Sequence, residues 1–136
     1  MKIKACPVAV VVWVVGVVAA AQAPDLVFDR LAHVPQFAFG GVGYAGVISQ
    51  GERDYTAILK RPTALADFER LFSTGNPQAR SYALVGIRKL KPGRFKELAE
   101  SLHNSKAEVE TQAGCIIYQE SIRSVVNRIG QGFGSE

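Results

Sequence analysis

Cys115 is the residue in this chain best suited to covalent chemistry, since a thiolate is a strong nucleophile near neutral pH. To act as one it needs a base within reach and a lowered pKa. His33 and His103 are the only histidines, and nothing in the spacing brings either to residue 115. Between Gly114 and Ile116 the cysteine reads instead as a small buried hydrophobe. A surface thiol that links two molecules is the alternative.

Gly41-Val-Gly43-Tyr-Ala-Gly46 matches the G-x-G-x-x-G spacing with which dinucleotide folds bring backbone close to a pyrophosphate. That chemistry needs a strand before the glycines, a helix after them and an acidic residue about 20 positions on. The surrounding sequence supplies none of these, so the run reads as a glycine-rich turn packed beneath Phe37, Phe39 and Tyr44. No cofactor is expected.

Arg88, Lys89, Lys91, Arg94 and Lys96 concentrate positive charge within nine positions and form the candidate polyanion site. Arg88 and Lys89 also suit the negative end of a helix, with Lys91 and Arg94 solvated around the turn. No aromatic residues interleave to stack bases, so nucleic acid is not an expected partner. Glu97 and Glu100 sit three apart, as many solvent-facing pairs do. With two histidines and two cysteines widely separated, no metal site is expected. G-x-S-x-G, H-E-x-x-H and C-x-x-C are absent.

Lys2 and Lys4 precede an apolar run, Val8 to Ala21, and small residues follow it. This is the layout of a secretory signal peptide. Its 14 apolar positions are short of the roughly 20 that cross a bilayer. Ala19 and Ala21 fit the small-residue cleavage pattern, and Pro24 obstructs a later cut, so residues 1–21 are expected to be removed. An uncleaved N-terminal anchor is the alternative. The mature chain would be periplasmic or extracellular with no stable membrane span. Lys2 and Lys4 leave with the signal, so the net charge of +4 falls to +2 and the pull on polyanions weakens. Trp13 and Cys6 leave too, so Cys115 has no internal disulfide partner.

Stepping along the mature chain, residues 22–48 are rich in glycine, proline and aromatics. Asp25 to His33 fits a short helix, and Phe37-Ala-Phe39 reads as extended. From Ser49 helical patterning takes over to residue 130. Ser49 and Glu52 have capping-box spacing, opening a helix that Pro62 ends. Thr63 can cap a helix from Ala64 to Ser73, with Gly75 as a left-handed C-terminal cap. Asn76-Pro77 opens a third, with Ala79, Tyr82, Ala83, Gly86 and Leu90 on one face. Pro92 restarts the chain, and Phe95, Leu98, Ala99 and Leu102 form a fourth stripe. Residues 107–118 fit either a helix or a strand, Gly114 and Cys-Ile-Ile-Tyr favouring a strand. Ser121 to Ile129 is a helix with Ile122, Val125, Val126 and Ile129 on one side. Residues 131–136 read as a frayed tail.

Sliding the chain by 30 residues sets Leu65 on Phe95, Phe68 on Leu98, Phe72 on Leu102, Ala79 on Val109 and Ala83 on Ala113. Asn76-Pro77-Gln-Ala79-Arg80-x-x-Ala83-x-x-Gly86-Ile87 resembles the second helix of a HEAT-like repeat, and Leu65 to Gly75 resembles the first. The resemblance covers residues 63–118, and in its second copy Ala107 replaces the proline and Glu110 the arginine. It implies stacked helical hairpins used for protein contacts.

The expected fold is mainly α, built from amphipathic hairpins. A short β element from the glycine-rich segment could pair with residues 115–118 if those residues are a strand. The expected function is a non-enzymatic protein-interaction module of the cell envelope, its partner another envelope or extracellular protein. A basic surface docking polyanions and an enzyme using Cys115 are the alternatives. An exposed apolar groove would mark the first, a clustered basic face the second, and an open Cys115 beside a histidine the third.

Overall fold

A computed structural model describes residues 23–134; the expected signal peptide at 1–21 and its cleavage site lie outside the described residues, as do residues 135–136. The chain is mainly helical with two small antiparallel hairpins. Its elements run α1 (Leu26–Ala32), β1 (Gly41–Val42), β2 (Val47–Ile48), α2 (Gln50–Leu59), α3 (Ala64–Thr74), α4 (Pro77–Leu90), α5 (Pro92–Ser101), β3 (Glu108–Ala113), β4 (Ile116–Ser121) and α6 (Ile122–Gly130).

Helix starts follow side-chain capping. Asp25, Ser49, Asn76 and Ser121 each accept a hydrogen bond from the backbone N–H three residues on. Two caps depart from expectation. Glu52 does not complete a reciprocal box with Ser49, because its carboxylate takes the Gly40 N–H at 2.8 Å. Thr63 turns its hydroxyl to Asp67 at 2.9 Å instead of capping backbone.

Helix α4 is the centre of the molecule, packed against α2, α3, α5, α6 and β3. It is buried nearly all round from Ala79 to Ile87, as a helix with neighbours on every side must be. Leu90 was expected on its buried face but is 43% exposed, since the packing ends at the last turn. Gly86 lets α3 approach: a Cβ there would intrude on the Phe68 ring. Gly75 serves the same purpose and is not a left-handed cap. Its φ is −79°, and a Cβ would lie 2.6 Å from that of Ala79.

Residues 107–118 resolve as strand, with β3 and β4 paired from Glu108↔Ser121 to Ala113↔Ile116. Val109 and Thr111 alternate inward onto the core while Gln112 faces outward, the period of a half-buried strand. Val109 and Ala113, aligned with Ala79 and Ala83 in the 30-residue repeat, therefore lie on β3, and the α3–α4 pair has no helical counterpart there. The glycine-rich segment does form a β element, but not beside 115–118. Its first strand, β1, pairs with β2, while parallel bridges join Phe37 to Thr111 of β3 and Val42 of β1 to Gly114 in the turn after β3.

Residues 131–134 are not frayed. Gly132 and Phe133 donate backbone bonds to Ile129 and Arg128, and Phe133 folds back to 5.7 Å from Phe37 and 5.8 Å from Phe39. An aromatic side chain among the glycines supplies the apolar contact that holds the tail.

Candidate functional site

The two hairpins meet at their tips. Gly43 donates its N–H to the Gly114 carbonyl at 2.9 Å, setting the β1–β2 turn against the β3–β4 turn. The first turn explains the glycine motif. Gly43 and Gly46 take φ of +69° and +60°, and a Cβ on Gly41 would sit 2.9 Å from the Gly46 carbonyl oxygen. Those glycines close a hairpin and do not open a phosphate-binding helix. Tyr44 does not pack over them, contrary to expectation. At the outermost point of the four-residue turn it is fully exposed.

The second turn has two residues, Gly114 with φ +56° and then Cys115 at an ordinary φ. Glycine first with positive φ is the requirement of a type II′ hairpin turn. This geometry projects Cys115 into solvent, so the expected buried cysteine is exposed. A short apolar run looks the same in sequence whether its strand is covered or overhangs the core. Neither histidine is hydrogen-bonded to the thiol. His33 Nδ1 lies 2.9 Å from the Asp29 carbonyl oxygen, and the His103 carbonyl accepts from Arg123.

Strand β4 forms the outer border of this double hairpin. Ile116, Ile117 and Tyr118 are 67%, 53% and 36% exposed, and Val47 and Ile48 of β2 are exposed as well. On β3, the Glu110 carbonyl and the Gln112 N–H point away from β4, to Phe37. Strand alternation therefore aims Val109, Thr111 and Ala113 at Glu120, Tyr118 and Ile116. By the same alternation Ile117 and Gln119 turn their N–H and C=O outward. Two donors and two acceptors line an open edge.

Side-chain hydrogen bonds tie this edge to the core behind it. Glu120 accepts from Thr111 Oγ1 at 2.9 Å, from Ser124 and from Arg128. The Tyr82 hydroxyl donates to the Ala38 carbonyl at 2.7 Å and accepts the Ala38 N–H at 3.0 Å, pinning the segment that bridges to β3. Burial pushes the Tyr82 phenol pKa up, so it stays a donor at all ordinary pH.

The basic run lies along the end of α4 and the first turns of α5. Arg94 is neutralised by Glu69 at 2.7 Å and Glu97 at 2.8 Å. Arg88 is half-buried at the end of α4, and Lys89 and Lys91 are exposed near the α4–α5 junction. Lys96 borders a groove with Glu100, His103 and Arg123, where a carboxylate mixes with the cations. Among the described residues no three His, Cys, Asp or Glu side chains gather to hold a metal ion. No helix among them is long and apolar enough to cross a membrane.

The open edge was not foreseen from sequence, although a signal was present. Residues 37–48 and 111–119 contain no charged side chain at all. Solvent-exposed edge strands usually carry charge or proline that discourages pairing.

No protein-family model, curated protein or solved structure matches this chain.

Proposed function

We propose that this chain is a non-enzymatic interaction domain, exported to the cell envelope or beyond, that docks an extended segment of another protein along β4. The observation that carries this reading is the unguarded edge: outward backbone groups at Ile117 and Gln119, flanked by exposed Ile116 and Tyr118. In strand addition main-chain hydrogen bonds supply affinity, and side chains alternating across the edge supply selectivity. The uncharged surroundings favour a β-branched, uncharged segment.

The test is selection of extended peptides from a random display library, followed by amide NMR of the labelled full chain with a selected peptide. Bound peptides should be uncharged at alternate positions and should protect the Ile117 and Gln119 amides from exchange. Ile117→Pro deletes an outward N–H that the β3 ladder does not use, so the hairpin should survive while binding is lost. Ile117→Lys, which keeps the backbone intact, should weaken it as well. Peptide binding indifferent to both substitutions would rule the edge out.

A further inference from the structure

A second feature stands apart from the hairpin edge. Where the tail folds back, Phe39, Gly40, Glu52, Gly132, Phe133 and Gly134 line a cleft of about 340 Å³. Its two phenyl rings stand nearly at right angles, 87° apart with centroids 5.8 Å apart, forming two walls of a corner. The polar group in it is Glu52. One carboxylate oxygen of Glu52 accepts the Gly40 N–H at 2.8 Å, and among the described residues Glu52 forms no salt bridge.

A half-buried carboxylate has lost part of its hydration, and a single backbone N–H returns only part of it. Its charge is felt within the aromatic core. Burial, and then the Glu52 charge, push the Tyr55 phenol up to about 12. Phe133 already attracts a cation, the Arg128 guanidinium lying 4.8 Å from its ring centroid. Aromatic walls closed by a carboxylate make an environment in which an organic cation is stabilised by charge and by apolar contact together.

We infer that this cleft binds an alkylammonium group, with the nitrogen at Glu52 and the alkyl chain between Phe39 and Phe133. Such a group can come from a free polyamine or from a lysine side chain of a bound protein. The inference does not rest on the β4 reading, and either can fail without the other.

Titration of the isotope-labelled full chain with butylammonium, followed by amide NMR, tests it. Saturable shifts are expected at Gly40, Gly132, Phe133 and Gly134, with butanol, the neutral counterpart, binding about tenfold more weakly. Glu52→Gln keeps an oxygen for the Gly40 N–H while removing the charge. It should weaken butylammonium about tenfold with the rest of the spectrum unchanged. Phe133→Leu should weaken both probes. Absence of saturable shifts, shifts confined elsewhere, butanol equalling butylammonium, or unaltered binding by Glu52→Gln would each overturn the inference. Competition then separates the sources. Displacement by a blocked Ala-Lys-Ala peptide assigns the cleft to a protein lysine, and displacement by spermidine alone assigns it to a free polyamine. Displacement by neither would contradict recognition of alkylammonium groups.

Discussion

Tyr82 and Gly86, one helical turn apart on α4, show what single side chains decide in this molecule. The Tyr82 hydroxyl satisfies both backbone groups of Ala38. Tyr82→Phe should therefore cost about 1–3 kcal/mol, because it strands a buried donor and a buried acceptor together. Chemical denaturation of the two proteins would measure it, and equal midpoints would mean that water replaces the hydroxyl. At Gly86 two effects oppose. Alanine gains about 1 kcal/mol of helix propensity over glycine. Its Cβ would intrude on the Phe68 ring, which has no room to retreat in a fully buried position, and overpacking costs about 1–3 kcal/mol. Gly86→Ala should come out neutral to destabilising and Gly86→Leu clearly destabilising; a gain in melting temperature for either would refute the close packing of α3 on α4. Cys115 behaves oppositely to a core residue. Exposed in a turn, it should be alkylated in the native state as readily as a free thiol, and Cys115→Ser should leave the melting temperature unchanged. Protection until unfolding would contradict the exposed turn.

Between elements, ion pairs fasten α1 to the helices beside it. Arg61, just beyond α2, grips Asp25 at 2.6 and 2.9 Å, and Arg30 of α1 grips the buried Asp54 of α2 at 2.7 and 3.0 Å. The Arg61 guanidinium, more than the Phe28 N–H, holds the Asp25 carboxyl at about 2, below its ordinary 3.8, although burial pulls the other way. A carboxyl group lowered by folding contributes stability that is full above its unfolded pKa and is lost as pH falls toward the folded one. The melting temperature should thus drop between pH 3.8 and about 2, and less steeply in Asp25→Asn, which can still cap Phe28. Parallel acid profiles for the two proteins would show that this pair does not link α1 to its neighbours. Helices were legible in the sequence wherever a cap and an apolar period coincided, as at Asn76-Pro77 and Ser121. Capping and periodicity are local signals. The burial of α4 was only half legible, because a stripe argument assumes one wet face and α4 is buried nearly all round from Ala79 to Ile87. The pairing of the glycine-rich segment with β3 was not legible, since the choice of strand partner depends on residues some 70 positions away, Phe37 and Thr111 among them. For the same reason Cys115 read as core: a sequence shows that a segment is apolar but not whether anything lies over it.

At the scale of the whole molecule, the helices form a packed support and the hairpins project a surface that the core does not use. Central α4 is buried nearly all round from Ala79 to Ile87, whereas β4 has β3 and α6 as its main neighbours among the described residues. The polar anchors at Tyr82 and Glu120 hold the hairpins in place without closing their outer edge. A rigid open strand of this kind needs little ordering before a partner segment adds to it, which favours affinity. Docking of a partner strand requires the β4 edge to be open in the isolated protein. Residue-resolved amide hydrogen exchange measures that directly. The predicted result is slow exchange at Ile116, Tyr118 and Glu120, whose N–H groups face β3, alternating with fast exchange at Ile117 and Gln119. Protection of Ile117 and Gln119 to the level of their neighbours, with no partner added, would mean that the edge is already covered and would contradict the proposed docking site.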